Sequence, residues 1–361
     1  LLAGLATLIV SCPCTFGLAV PLTTANAISS ALRNGIIFSS ADIFEKPPKY
    51  DTVAIDKTGT LTTAQMGIEK IVGDNEVIEY AAAVERFSSH PIAKAIAQMD
   101  SSRTAVDFIV HPGKGAEATV DGRRVAVGSK SLFSQLNWKV DIKGELESKN
   151  IKGAEEVISY VGWDGSIFGA IITSDQRRPE WAEFVNRLRH DKNVVLLSGA
   201  EHQSGYEEQV DELYLGVPPE AKAAVIRQYK SKGNVVMIGD GNNDAPAIAE
   251  ADLGIAFGVP TSLAAEAADV VIPRGRLDQV FIAFELIEIT RRRIRQNIGW
   301  AFLYNAIAIP LALSGLLNPL LAALAMASSS FLVVWNSSRK ITNSKSDEWS
   351  AVESKNKIPA C

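Results

Sequence analysis

A chain of 361 residues is long enough for two or three domains. Its 36 Lys and Arg stand against 41 Asp and Glu, a formal net charge of -5, so the basic surplus that nucleic-acid binding demands is missing and that class of partner is excluded. Three cysteines, two of them one residue apart and the third at the terminal position, make no disulfide framework, and an apolar fraction of 47% leaves room for segments in a bilayer.

The first element is a run without a charge over positions 1–22, and a bilayer helix needs roughly 20 residues. Cys12, Pro13 and Cys14 stand at its centre. No Met opens the chain and no basic stretch precedes the run, so it does not read as a signal peptide; the chain is expected to be an internal piece with further helices upstream. Next, "YDTVAIDKTG" (50–59) reads as a short buried strand, rich in Val and Ile, that ends at an Asp and a Gly-containing loop. Residues 63–166 break that pattern with helical stretches ("EVIEYAAAVERF", "PIAKAIAQM") and a β-like alternation ("GAEATVDGRRVAVGS"), which predicts an inserted α+β domain. The strands "SIFGAIITSD", "NVVLLSGA", "DELYLGV" and "GNVVMIGDGNND" then alternate with helical stretches such as "PEWAEFVNRLRH" and "PPEAKAAVIRQYK", which predicts a doubly wound parallel sheet.

A second charge-free stretch, residues 296–338, is long enough for two crossings with a turn at Asn318-Pro319. Arg33, Lys46 and Lys49 follow the first membrane run, "RRRIR" (291–295) precedes the hairpin and Arg339-Lys340 follows it. Positive charge marks the cytoplasmic side, so the block 40–285 is expected to be one cytoplasmic excursion of an integral membrane protein. The expected divisions are 1–38, 39–62, 63–166, 167–285, 286–340 and a flexible polar tail over 341–361.

Asp56, Lys57, Thr58, Gly59 and Thr60 fall where a strand stops and its loop begins, the place where open α/β sheets bind ligands. A carboxylate there can act as a nucleophile toward phosphorus if a divalent cation and hydrogen-bond donors neutralise the incoming charge. Asp240 and Asp244 end the later strand and offer oxygen ligands to Mg2+, and Lys222 offers a point charge. A lone Asp-Gly is more often a turn former, but two Asp-terminated strands with an intervening Lys are hard to obtain from turn chemistry alone.

"DKTGTLT" (56–62) followed by "GDGNNDAPAIAEADLGIAFG" (239–258) resembles the P-type ATPases, ion pumps built on the haloacid dehalogenase-like fold. "CPC" in a membrane run and "SSHPIAKAI" narrow the resemblance to the heavy-metal branch, over essentially the whole chain to residue 339. It implies an α/β chain, with a doubly wound parallel sheet as phosphorylation domain, an inserted α+β nucleotide-binding domain and three transmembrane helices. It further implies ATP and Mg2+ as cofactors, Asp56 as the phosphorylated residue, and Thr58 and Asp240 as Mg2+ partners beside it. Lys222 then stabilises the phosphoryl group, Asn243 and Asp244 form the loop around it, and Asp175 with Arg178 form the D-x-x-R segment that returns the chain from the nucleotide domain. His90 and Pro91, with Gly113, Gly115 and Gly128, correspond to the ATP-binding surface. An ordinary capping role for His90 is the bland alternative.

The transported metal must be held inside the bilayer, where polar side chains are costly. Pro13 disrupts a helix locally, which can turn the Cys12 and Cys14 sulfurs toward one point, and thiolates suit Cu(I) or Zn(II). By resemblance, Tyr304 with Asn305 and the pattern Met326, Ser329, Ser330 accompany Cu(I), with Ag(I) equally soft; a Zn or Cd pump is expected to carry a Lys and an Asp that residues 296–338 lack. The implied activity is ATP-driven Cu(I) export across the cell membrane, with lipid, the upstream actuator part of the same pump and a copper chaperone as partners. Three positions depart from the family pattern: "SGA" at 198–200 keeps a hydroxyl at Ser198 but lacks the usual Asp, a Ser stands at 89 for Glu, and Ser129 stands for Asn. These departures motivate the alternative of a degenerate, non-pumping metal-binding membrane protein.

Overall fold

In this computed structural model the described residues are 2–11, 14–46, 49–99, 101–138, 157–199, 206–241, 243–258, 262–273 and 275–339. The expectations for Cys12, Pro13, the Cys14 side chain, position 200 and the tail 341–361 lie outside them. The chain divides into two units, Leu1–Ala54 with Lys222–Cys361, and Ile55–Ala221.

The first unit opens with helices α1 (Leu2–Val10) and α2 (Cys14–Arg33), a two-residue strand β1 (Ile37–Phe38), and β2 (Thr52–Asp56), within which the division falls. The apolar run expected as one helix over 1–22 is therefore two helices, and the second continues eleven residues past position 22. A proline at 13 lacks the donor that a continuous helix needs.

The second unit follows with β3 (Thr62–Val72), α3 (Asn75–Glu85), α4 (Pro91–Ala97), β4 (Ala105–His111), β5 (Gly115–Val120), β6 (Arg123–Gly128), α5 (Lys130–Gln135), β7 (Val157–Trp163) and β8 (Ser166–Arg177). Its strands form a six-stranded antiparallel sheet in the order β3-β8-β7-β6-β5-β4. Helix α3 packs on one face through Val77, Tyr80, Ala81 and Val84, with Val125, Val127 and Trp163 in the same core. Beyond it come α6 (Trp181–Arg189), β9 (Asn193–Leu197) and β10 (Glu212–Tyr214), with β9 between β2 and β10 and parallel to β10.

"SIFGAIITSD" is a strand as expected, but it belongs to the antiparallel sheet rather than the parallel one. Strand β8 is central there, between β3 and β7, and its Ile167, Ala170, Ile171 and Ile172 are all buried. A strand buried on both faces reads as a continuous apolar run in either kind of sheet, so periodicity does not separate them.

The chain re-enters the first unit at α7 (Pro219–Lys230), then β11 (Val235–Gly239), α8 (Ala245–Glu250), β12 (Leu253–Phe257), α9 (Ser262–Ala267) and β13 (Val270–Ile272). The order is β1-β13-β12-β11-β2; β11, β12 and β13 run parallel, and β1 closes the edge antiparallel to β13. Every residue of β2, β11, β12 and β13 is buried, as parallel strands covered on both faces require.

Two long helices finish the unit. Helix α10 (Asp278–Leu313) is 36 residues, about 54 Å at 1.5 Å per residue, and α11 (Pro319–Ser338) follows a turn in which the Asn318 side chain accepts from the Leu320 N–H at 2.9 Å. The predicted hairpin turn is therefore present. Among the described residues α11 is the one helix long and apolar enough to cross a membrane by length and hydropathy. The charge-free half of α10 is diluted by Gln296, Asn297, Tyr304 and Asn305, and the first run is divided between α1 and α2.

These helices pack through small residues: Ala6 and Val10 of α1, Ala308 and Ala312 of α10 and Ala322 of α11 form one buried cluster. Farther along, Thr23, Asn297 and Ser337 are fully buried and hydrogen-bonded across α2, α10 and α11. Asn297 Nδ2 donates to Ser337 Oγ at 2.9 Å and to Thr23 Oγ1 at 3.2 Å, and Asn336 Nδ2 donates to Asn297 Oδ1 at 2.8 Å.

Candidate functional site

Strand β2 delivers Asp56, 5% exposed, to its carboxyl end. Lys57 beside it is buried, Thr58 is exposed, and Gly59 takes φ +74°, a left-handed turn that a side chain disfavours. Residues far along the chain fix this loop. Thr62 Oγ1 accepts from the Gly59 N–H at 3.0 Å and donates to Asp175 Oδ2 at 2.6 Å. Arg178 donates from Nε to the Thr60 carbonyl at 2.8 Å and from Nη2 to the Gly59 carbonyl at 3.2 Å. Asp175 and Arg178, expected as the return segment, thus clamp the loop that follows Asp56. Ser198 is buried just past β9, its carbonyl accepting from Val217 N–H at 2.9 Å.

In the first unit, Lys222 of α7 and Asp244 form a buried ion pair, Nζ to Oδ1 2.6 Å, with side chains 7% and 2% exposed. Asp244 packs against the end of β11, where a Cβ on Gly239 would meet its Oδ2 at 2.7 Å, so this glycine lets the carboxylate sit on the strand. Asp240 follows β11 half-buried and Asn243 is exposed. Paired burial of this kind fixes an ammonium in place, because removing either partner leaves the other charged and dry.

The second unit holds a cavity of about 340 Å3 lined by His90, Gly113, Gly115 and Gly128 together with Glu85 and His111. Four of the five residues expected at the nucleotide surface therefore meet in one place; Pro91 is instead the first residue of α4 and does not line the cavity. His90 lines the cavity, and its Nδ1 accepts the Ile92 N–H at 3.3 Å as the helix cap, the bland role named for it. Gly115 and Gly128 face each other across β5 and β6, and a Cβ on either would come within 2.2 Å of the opposite backbone. Their lack of a side chain serves strand approach as well as room for a ligand.

Among the expected metal ligands, Tyr304, Asn305, Met326 and Ser329 are all half-buried on α10 and α11. Tyr304 packs beside the cluster of Ala6 and Val10 from α1, and its hydroxyl is buried with no hydrogen-bond partner among the described residues.

Residues 50–252 match the family model for haloacid dehalogenase-like hydrolases. The chain belongs to that hydrolase family. This haloacid dehalogenase-like chain is also 39% identical over 350 residues to a copper-exporting P-type ATPase of Mycobacterium leprae, across 93% of the chain and 44% of the relative. It is 35% identical over 363 residues to a copper-transporting P-type ATPase of Rhizobium leguminosarum, across 94% and 43%. A crystal structure of a zinc-transporting PIB-type ATPase in the E2.Pi state superposes with a TM-score of 0.77 at 29% identity, over 92% of the chain and 57% of that structure. The chain spans less than half the length of the curated relatives it matches.

Sequence reasoning about this hydrolase missed Glu85, His111 and Thr62. Glu85 is buried in the cavity wall, and burial pushes its carboxyl up from 4.5 to about 7. Its place in a run of apolar residues, "AAAVERF", is the one sequence signal that marks it.

Proposed function

We propose that this chain carries the phosphorylation and nucleotide-binding parts, with adjoining membrane helices, of an ATP-driven Cu(I) transporter that forms an aspartyl phosphate at Asp56 and moves Cu(I) out of the cytoplasm. The observation that carries this reading is the strand end at β2, where a buried carboxylate precedes a loop held by Thr62, Asp175 and Arg178. A rigid acceptor suits phosphoryl transfer, which depends on positioning and charge neutralisation. In that step an Asp56 oxygen bonds to the γ-phosphorus of ATP as the bond to the β-γ bridging oxygen breaks and ADP leaves. Lys222, oriented by Asp244, offers its ammonium to the phosphoryl oxygens. Asp56, Asp240 and Asp244 are carboxylates of the kind a hard cation takes, and would hold Mg2+, which supplies neutralising charge when bound.

The cavity of the second unit accommodates the nucleotide, with His90 and the glycines against it. For the cargo, Cys12, Cys14 and Met326 are soft donors by chemistry, and Tyr304, Asn305 and Ser329 are polar groups of α10 and α11. The copper-exporting names of the relatives support Cu(I), and the zinc-transporting structural neighbour keeps Zn(II) as the second reading. Competition of the detergent-solubilised chain against a Cu(I) chelator separates them. Tight Cu(I) binding that falls at least tenfold in Cys12→Ser and in Met326→Leu, with no displacement by Zn(II), is expected. Zn(II) binding of equal strength at the same residues rejects Cu(I) selectivity.

A further inference from the structure

The cavity of the second unit has a second histidine in its wall, one outside the Ser-His-Pro stretch. We propose that His111, held by Glu117, sets the base specificity of this cavity, its Nδ1 accepting a hydrogen bond from the exocyclic amine of an adenine ring. The proposal rests on the reading of the cavity as a nucleotide site.

His111 ends β4 and lines the cavity beside the Gly113 turn. Its Nε2 lies 3.0 Å from Glu117 Oε1. Glu117 is itself fixed: its side chain is 7% exposed, and its Oε2 accepts from Arg124 Nε at 2.9 Å and Nη2 at 2.7 Å. A carboxylate can only accept, so Nε2 carries the ring proton. In the neutral ring that tautomer leaves Nδ1 as the hydrogen-bond acceptor.

The ring is also held in place. Turning it away from Glu117 would leave a buried carboxylate oxygen short of a donor, which is costly. The backbone adds a second restraint, since the Lys114 N–H donates to the His111 carbonyl at 2.9 Å and closes the turn in which Gly113 takes φ +71°. Around this acceptor the wall is partly apolar, with Ile92, Ala93, Val110 and Ala116 among its residues, a lining suited to a flat heterocycle. Adenine presents an amine at its 6-position, whereas hypoxanthine presents a carbonyl. A fixed lone pair therefore gains a hydrogen bond with the first and meets a second acceptor in the second, an asymmetry that makes polar recognition selective.

The test is equilibrium binding of ATP and of ITP to the full chain, read as the ratio of the two dissociation constants, which is independent of the fraction of protein that is folded. Wild type is expected to favour ATP by roughly tenfold. His111→Phe, which keeps an aromatic volume without an acceptor, and His111→Ala should both bring the ratio close to one, mainly by weakening ATP. Glu117→Gln keeps an acceptor for Nε2 while releasing the Arg124 clamp and should fall between. An unchanged ratio in both His111 variants, or equal weakening of the two nucleotides, overturns the assignment and leaves the cavity reading standing. A wild-type chain that binds neither nucleotide overturns both.

Discussion

Burial holds the Glu85 carboxyl protonated up to about pH 7, whereas in the unfolded chain it ionises near 4.5. Between those values the folded chain keeps a proton that the unfolded chain has released. Its contribution to stability is therefore fullest below about pH 4.5, declines as pH rises through the window to about 7, and is flat above it. Glu85→Gln removes the titration while keeping the shape. The variant should melt higher than wild type at pH 8, by an amount worth on the order of 1–3 kcal/mol, with the gap narrowing toward pH 5. Melting curves at the two pH values check this, and a gap that is the same at both would show that Glu85 does not titrate across the window. Residues of this kind are hard to read in a sequence. Glu85 owes its character to the walls around it, and Thr62 owes its role to Asp175, 113 positions away. The capping position of His90, by contrast, was legible, because Ser-His-Pro ahead of a helix is a local signal, and its ring caps α4 while lining the cavity.

At the level of elements, the knot of Asn297, Thr23 and Ser337 joins three helices through side chains that are fully buried. Asn297 is its hub, serving Thr23, Ser337 and Asn336 at once. Asn297→Leu keeps the volume and leaves those partners short of a bond, a cost of about 1–3 kcal/mol. The expected result is a lower melting temperature in detergent, while the exposed neighbour change Arg295→Gln leaves it unaltered; equal melting of Asn297→Leu and wild type would remove the clamp role. Tyr304 lies seven residues further along α10, about 10 Å away at 1.5 Å per residue, so the knot sets the register of the helices close to the proposed metal path. The strands at Asp56 and Asp240 were legible because runs of β-branched residues ending in Asp-containing loops have few other readings. Strand β8 was legible as a strand and not as a member of its sheet. Pairing depends on partners such as Met66 to Asp175 and Val157 to Thr173, which periodicity does not encode.

For the molecule as a whole, the second unit carries Asp56 and the cavity lined by His90, and the first carries Lys222, Asp240, Asp244 and the long helices α10 and α11. Helix α10 is continuous from Asp278 to Leu313, so a rigid element runs from the end of the β-sheet region of the first unit to the residues proposed to meet the metal. The hairpin turn at Asn318-Pro319 follows from a local pattern that survives in the sequence, whereas the choice of cargo rests on a few side chains whose surroundings decide their chemistry. The central claim is that Asp56 accepts a phosphoryl group from ATP. Incubation of the full chain with ATP labelled in its γ-phosphate and with Mg2+, followed by acid quenching and peptide mapping, tests it most directly. The account predicts an acid-stable, hydroxylamine-sensitive label on the peptide containing Asp56, lost in Asp56→Asn and when Mg2+ is chelated. No label in the wild-type chain, or label that persists in Asp56→Asn, would contradict it.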